Sequence, residues 1–138
     1  MSETVFTEDW AWTKEFEQGH ELYDEHHKKF LEIINFSKKV IKERSCEEEI
    51  SLVFFRLIYY VENCFIEEEI RLRENAYPVF KNHREEHNQF IKQIVDFQQK
   101  YKAGDSRICS KLLIFLQDWF DNHILMSDRS AAEFLLAK

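Results

Sequence analysis

His83 and His87 are four residues apart. On a helix that spacing puts both imidazoles on one face, where they can share one metal ion. His123 is followed five residues later by Asp128, Glu68 comes one helical turn after Cys64, and His27 lies among apolar neighbours beside Phe30 and Ile34. Taken singly, an inward histidine is ordinarily a hydrogen-bonded core residue, and a lone His-x3-His pair arises by chance on solvated faces. Glu68 alone would read as one more solvated carboxylate in the run Glu67-Glu68-Glu69. The set is different, because four His, one Glu and one Asp fall on the inward stripes of four separate helices. Burying them without partners would cost several kcal/mol, roughly 1–3 for each group. A coordinated cation removes that cost. Mixed imidazole and carboxylate donors suit iron, manganese or zinc, and two carboxylates can bridge two ions.

Helical periodicity supplies the elements that must hold these groups. Residues 1 to about 18 read as an N-terminal arm anchored by Trp10, Trp12 and Phe16. A first helix carries Leu22, Tyr23, His26, His27, Phe30, Leu31, Ile33, Ile34 and Val40, fading near Arg44-Ser45. Glu47 to Arg73 reads as a second, with Ile50, Val53, Phe54, Leu57, Ile58, Val61, Cys64 and Phe65 as its apolar stripe. Pro78 suits a loop or a first turn. A third helix from about Val79 to Tyr101 faces Phe80, His83, His87, Phe90, Ile91, Ile94 and Phe97 inward. After the turn Ala103-Gly104-Asp105-Ser106, where Asp105 or Ser106 is a plausible cap, a fourth helix carries Leu112, Leu113, Phe115, Leu116, Trp119, Phe120 and His123. A short terminal helix over Ala131–Leu136 is expected beyond Ser127-Asp128. The expected fold is an all-α, up-down-up-down four-helix bundle. It forms a single domain over 1–138, with the arm at 1–18, the bundle at about 19–128 and a short C-terminal segment at 129–138.

Composition is consistent with this. The 138 residues include only 2 Gly and 1 Pro, so helices can run long, and 13 Phe supply bulk for an interior. A net charge of −7 disfavours non-specific binding to nucleic acid. No apolar run of about 18 residues suggests a membrane span. The start, MSETVFTEDW, lacks the basic and apolar regions of a secretory signal. Three scattered cysteines, Cys46, Cys64 and Cys109, argue against a disulfide framework and for a reducing cytosol.

Several blocks resemble the hemerythrins, especially the single-domain bacterial ones. Asp24-Glu25-His26-His27-Lys28 is similar to the family's Asp-x-Gln-His-Lys, and Tyr60-x3-Cys64-Phe65-x2-Glu68-Glu69 to its Tyr-x3-His-Phe-x2-Glu-Glu. Tyr77-Pro78 with His83-x3-His87 and Phe90, then Trp119-x3-His123-Ile124-x3-Asp128, complete the resemblance over almost the whole chain. It implies two iron ions with a bridging oxo or hydroxo group. His83, His87 and His123 would hold the first ion, His27 would hold the second, and Glu68 and Asp128 would bridge them. The second ion would have an open position for dioxygen or another small diatomic or peroxide ligand. A single iron or a zinc ion is the reduced alternative.

Two departures from the family pattern fall near the second ion. Cys64 stands where the resemblance calls for a histidine, either as a thiolate ligand or as a small buried hydrophobe beside a weakened site. Arg71, seven residues after Cys64, either reaches outward at the bundle's end or pairs with Glu67 or Glu68 and lowers the thiolate pKa or receives an anionic ligand. Tyr23 and His26 are further pocket candidates. The expected function is binding of dioxygen or a related small ligand. The alternatives are a redox enzyme reducing peroxide, dioxygen or nitric oxide or oxidising sulfur, with Cys64 as its redox-active group, and a redox or oxygen sensor acting on a separate protein partner.

Overall fold

The computed structural model describes residues 8–138 and is all-helical over them. Residues 1–7 of the expected arm, and most of the segment compared with a signal sequence, lie outside the described residues. Four long helices form an up-down-up-down bundle. The first, α1, spans Glu21–Lys42. The second, α2, runs continuously through Cys46–Tyr60, a π-helical stretch Val61–Phe65, and Ile66–Glu74. The third, α3, spans Phe80–Lys102. The fourth, α4, joins Ile108–Trp119, a second π-helical stretch Phe120–Asp128, and Arg129–Leu136. The expected break after Asp128 is absent: Asp128 keeps right-handed helical angles, so the terminal helix is the last two turns of α4.

Phe30, Leu57, Phe90, Leu113, Leu116 and Phe120, each at most 1% exposed, fill the axis of the bundle. Burial of each such side chain contributes about 1.5–3 kcal/mol. Two apolar residues depart from the expected stripes: Ile58 is 40% exposed and Ile91 37%. Both border a shallow groove between α2 and α3 instead of entering the core.

The arm is tied down by specific contacts. The Trp10 N–H donates to Asn35 Oδ1 at 2.8 Å, and Asn35 Nδ2 donates back to the Trp10 carbonyl at 3.0 Å. Trp10 and Phe16 meet Phe120 edge-on, with ring centroids 5.6 and 4.9 Å away. Gln18 Nε2 donates to the Ile124 carbonyl at 2.7 Å, pinning the arm to the π-helical part of α4.

The turns explain the helix ends. Gly19, at φ +77°, turns the chain into α1, and the backbone N–H groups of Gln18 and Gly19 donate to the Asp24 carboxylate. Gly104, at φ +90°, closes α3, with the Asp105 N–H donating to the Lys100 carbonyl. The expected cap on α4 is displaced: the helix begins after Arg107 without a side-chain cap, and Asp105 accepts from the Arg107 N–H and from Lys111.

The cysteines are not all unpaired, contrary to expectation. Cys46 and Cys109 form a disulfide, leaving Cys64 as the buried free cysteine. In an up-down-up-down bundle α2 and α4 start at the same end, so residues 63 apart in sequence meet there. The expectation of a reducing compartment loses the support it drew from three unpaired thiols. Among the described residues, no helix is long and apolar enough to cross a membrane.

Candidate metal centre

Ligand atoms of His83, His87, His123 and Asp128 all lie within 4.8 Å of one another, and all four residues are buried. The local backbone explains how α4 contributes two of them. In an α-helix, residues five apart point about 140° away from each other. His123 and Asp128 lie in a π-helical stretch, whose i→i+5 hydrogen bonding brings the fifth residue back over the first. His123 Nε2 consequently sits 3.0 Å from Asp128 Oδ1. The other π-helical stretch, in α2, contains Cys64 and leads into Glu68.

The imidazoles are oriented from behind. His87 Nδ1 is 2.8 Å from Glu69 Oε2, and His123 Nδ1 is 2.7 Å from Glu86 Oε1. A carboxylate partner assigns the proton to Nδ1 and turns the Nε2 lone pair inward. Ser127 Oγ donates to the same Glu86 oxygen. The His87 ring stacks on Phe65 at 3.8 Å and the His123 ring on Trp119 at 4.0 Å, which fixes the ring planes. Glu86 escaped the sequence reading, although its position beside His87 and three residues after His83 was an available signal. Glu69 appeared there only as part of a motif. Replacing Glu86 or Glu69 by Gln should weaken metal retention by roughly 10–100-fold with little loss of helicity. Competition against a chelator of known affinity measures the first quantity, and circular dichroism the second.

This donor set fits a cation. His87 Nε2 and His123 Nε2 lie 3.1 Å apart, although both Nδ1 positions are already engaged by carboxylates. Two inward lone pairs at that distance repel unless a proton or a metal ion lies between or beside them. Burial depresses the His123 pKa, but the Asp128 and Glu86 carboxylates outweigh it and lift the value to about 9. Burial also lowers His87, beyond what its hydrogen bond to Glu69 restores. A cation entering the site would displace the proton that the Asp128 and Glu86 carboxylates favour on His123. His83 Nε2 and Asp128 Oδ1 face each other at 3.0 Å without hydrogen-bonding geometry, and Glu68 Oε1 has no hydrogen-bond partner, as in a set of ligand atoms awaiting an ion.

The remaining sequence candidates surround this group. Asp128 extends it to α1, because its Oδ2 lies 2.8 Å from His27 Nε2 while Oδ1 lies 3.0 Å from His83 Nε2. Glu68 is similarly divided, with one oxygen 3.5 Å from His87 Nε2 and the other 2.6 Å from His26 Nδ1. Cys64 is 3% exposed and lies within hydrogen-bonding reach of His26. It also borders a groove of about 620 Å³ between α1 and α2. Tyr23 is fully buried, its ring 5.8 Å from His27 and its hydroxyl without a partner. Glu67 is 3.4 Å from His26 Nε2 with its own side chain about half exposed. Arg71 does not enter the pocket: it is exposed and makes no ion pair within 4.0 Å among the described residues. Its guanidinium avoids desolvation by staying at the bundle's end.

Comparison with known proteins agrees with this geometry. The hemerythrin HHE cation binding domain matches residues 18–135, and the chain belongs to that family. A bacteriohemerythrin of Clostridium acetobutylicum is 32% identical over 123 residues, covering 86% of this chain and 95% of the relative. Bacteriohemerythrins of Stenotrophomonas maltophilia and Pseudomonas aeruginosa are each 25% identical, covering 89% and 86% of this chain and 79% and 76% of their own lengths. The buried His/Asp group is thus the candidate cation site of a hemerythrin-family protein.

Proposed function

We propose that this protein binds dioxygen or a related small ligand at a two-iron centre. In this reading His83, His87 and His123 hold one ion, His27 holds the second on the α1 side, and Asp128 and Glu68 bridge them. The observation that carries it is the division of both carboxylates. Asp128 turns Oδ1 toward His83 and His123 and Oδ2 toward His27, while Glu68 turns one oxygen toward His87 and the other toward α1. A carboxylate serving one ion has no need to present its two oxygens to different sets of imidazoles. When bound, ferrous iron supplies the reversible electron donation that lets a small oxidising ligand be held.

The protein's own residues do the rest. Glu69 and Glu86 keep the Nε2 lone pairs of His87 and His123 aimed inward. Phe65, Trp119 and Tyr23 wall the site with aromatic surface and exclude water. Tyr23 also leaves a hydroxyl that can donate to a polar ligand beside Glu68 and Asp128.

Anaerobic reconstitution with ferrous iron should give two ions per chain. Admitting air should then produce a visible absorption band that disappears on return to argon. Immediate oxidation that argon does not reverse would favour the redox-enzyme reading. That reading draws on Cys64, an oxidisable thiol beside the site at the edge of an open groove.

A further inference from the structure

We infer that His26 supplies the second ion with an imidazole ligand through Nδ1, leaving Cys64 outside the coordination sphere. The inference rests on the two-ion reading above and assigns the remaining protein donor on the α1 side.

Each bridging carboxylate has one oxygen on the side of the α3 and α4 histidines and one on the side of α1. The α1 oxygen of Asp128 meets His27 Nε2 at 2.8 Å, and the α1 oxygen of Glu68 meets His26 Nδ1 at 2.6 Å. Two donors about 2.1 Å from one ion and at right angles to each other lie about 3 Å apart. Both contacts are near that separation, as is the 3.0 Å between His123 Nε2 and Asp128 Oδ1 in the tighter group. His26 and His27 are consecutive, so their Cβ atoms diverge by about 100° around α1. They reach different carboxylates by using different ring nitrogens, His27 meeting Asp128 Oδ2 with the distal Nε2 and His26 meeting Glu68 Oε2 with the proximal Nδ1. His26 is 3% exposed, and an imidazole so deeply buried requires a partner for each nitrogen. Glu67 at 3.4 Å faces Nε2, in the place of an outer carboxylate behind a metal-bound ring. Cys64 fits beside this arrangement, next to His26 on the wall of the α1–α2 groove.

Cobalt(II) titration of chelator-treated protein tests the assignment, using His26→Gln and Cys64→Ser beside the parent chain. Glutamine can still donate a hydrogen bond to Glu68 but offers no imidazole, so it separates ligation from mere positioning. The parent and Cys64→Ser should each retain two ions per chain after desalting. His26→Gln should retain one, with at least tenfold weaker affinity for the second. X-ray absorption of the doubly loaded parent should count five imidazoles over the two ions and no cobalt–sulfur scattering, a readout independent of how the variants fold. Four imidazoles, or two tight ions in His26→Gln, would reduce His26 to a hydrogen-bond donor and overturn the inference. A cobalt–sulfur shell that Cys64→Ser removes would overturn it in favour of thiolate ligation. One ion in the parent chain would instead overturn the two-ion reading, and this inference with it.

Discussion

Asp128→Ala should abolish stable metal retention altogether, whereas loss of an α1 donor should empty only half of the centre. Among the described residues, Asp128 alone has two oxygens that contact histidines of α1, α3 and α4, at 2.8, 3.0 and 3.0 Å. Removing it takes a donor from each proposed ion and a close carboxylate from three buried imidazoles. The affinity loss should exceed the 10–100-fold characteristic of outer partners. The metal-free protein should suffer as well. Although burial opposes it, pairing with His123, His27 and His83 holds the Asp128 carboxyl well below its ordinary range. Breaking a buried charge pair by deleting one partner costs about 3–5 kcal/mol. Metal content after desalting and urea denaturation of the chelated protein measure the two effects. Retention of one tight ion in Asp128→Ala would show that Asp128 is not shared.

The second large effect is expected at Phe120, which is fully buried at the point where α4 changes from α- to π-helical geometry. Its ring receives Trp10 and Phe16 from the arm at 5.6 and 4.9 Å. Phe120→Ala should destabilise the protein by about 3–5 kcal/mol, through lost burial and the cavity left behind. The loss should also reach the metal centre, since His123 lies three residues along the same π-helical stretch. Denaturant midpoints with and without bound metal would show this coupling as a smaller stabilisation by metal in the variant. If metal stabilised parent and variant equally, the arm and the centre would be energetically independent.

Much of this protein was legible before any coordinates. Apolar residues at helical spacing, with almost no Gly or Pro to interrupt them, require long amphipathic helices. Short connections then require antiparallel neighbours. The inward positions of His27, Glu68, His83, His87 and His123 followed from the same periodicity, because a residue on an apolar stripe is expected to face the core.

What the sequence could not determine depended on departures from ideal helix geometry or on contacts between elements. Periodicity of 3.6 does not place His123 and Asp128 on one face; the π-helical stretch does, and no local residue pattern announced it. The disulfide joins residues whose proximity comes only from the parity of the bundle, which brings the starts of α2 and α4 together. Ile58 and Ile91 match the apolar period, yet the separation of α2 and α3 leaves them outside. Arg71 shares a helical meridian with Cys64, but the bundle ends before its guanidinium would be buried. The division of the Glu68 and Asp128 oxygens between α1 and the α3–α4 histidines was likewise decided in three dimensions. One chain can assign a side chain to the interior, but the oxygen or nitrogen that faces a given neighbour depends on rotamers set by four helices at once.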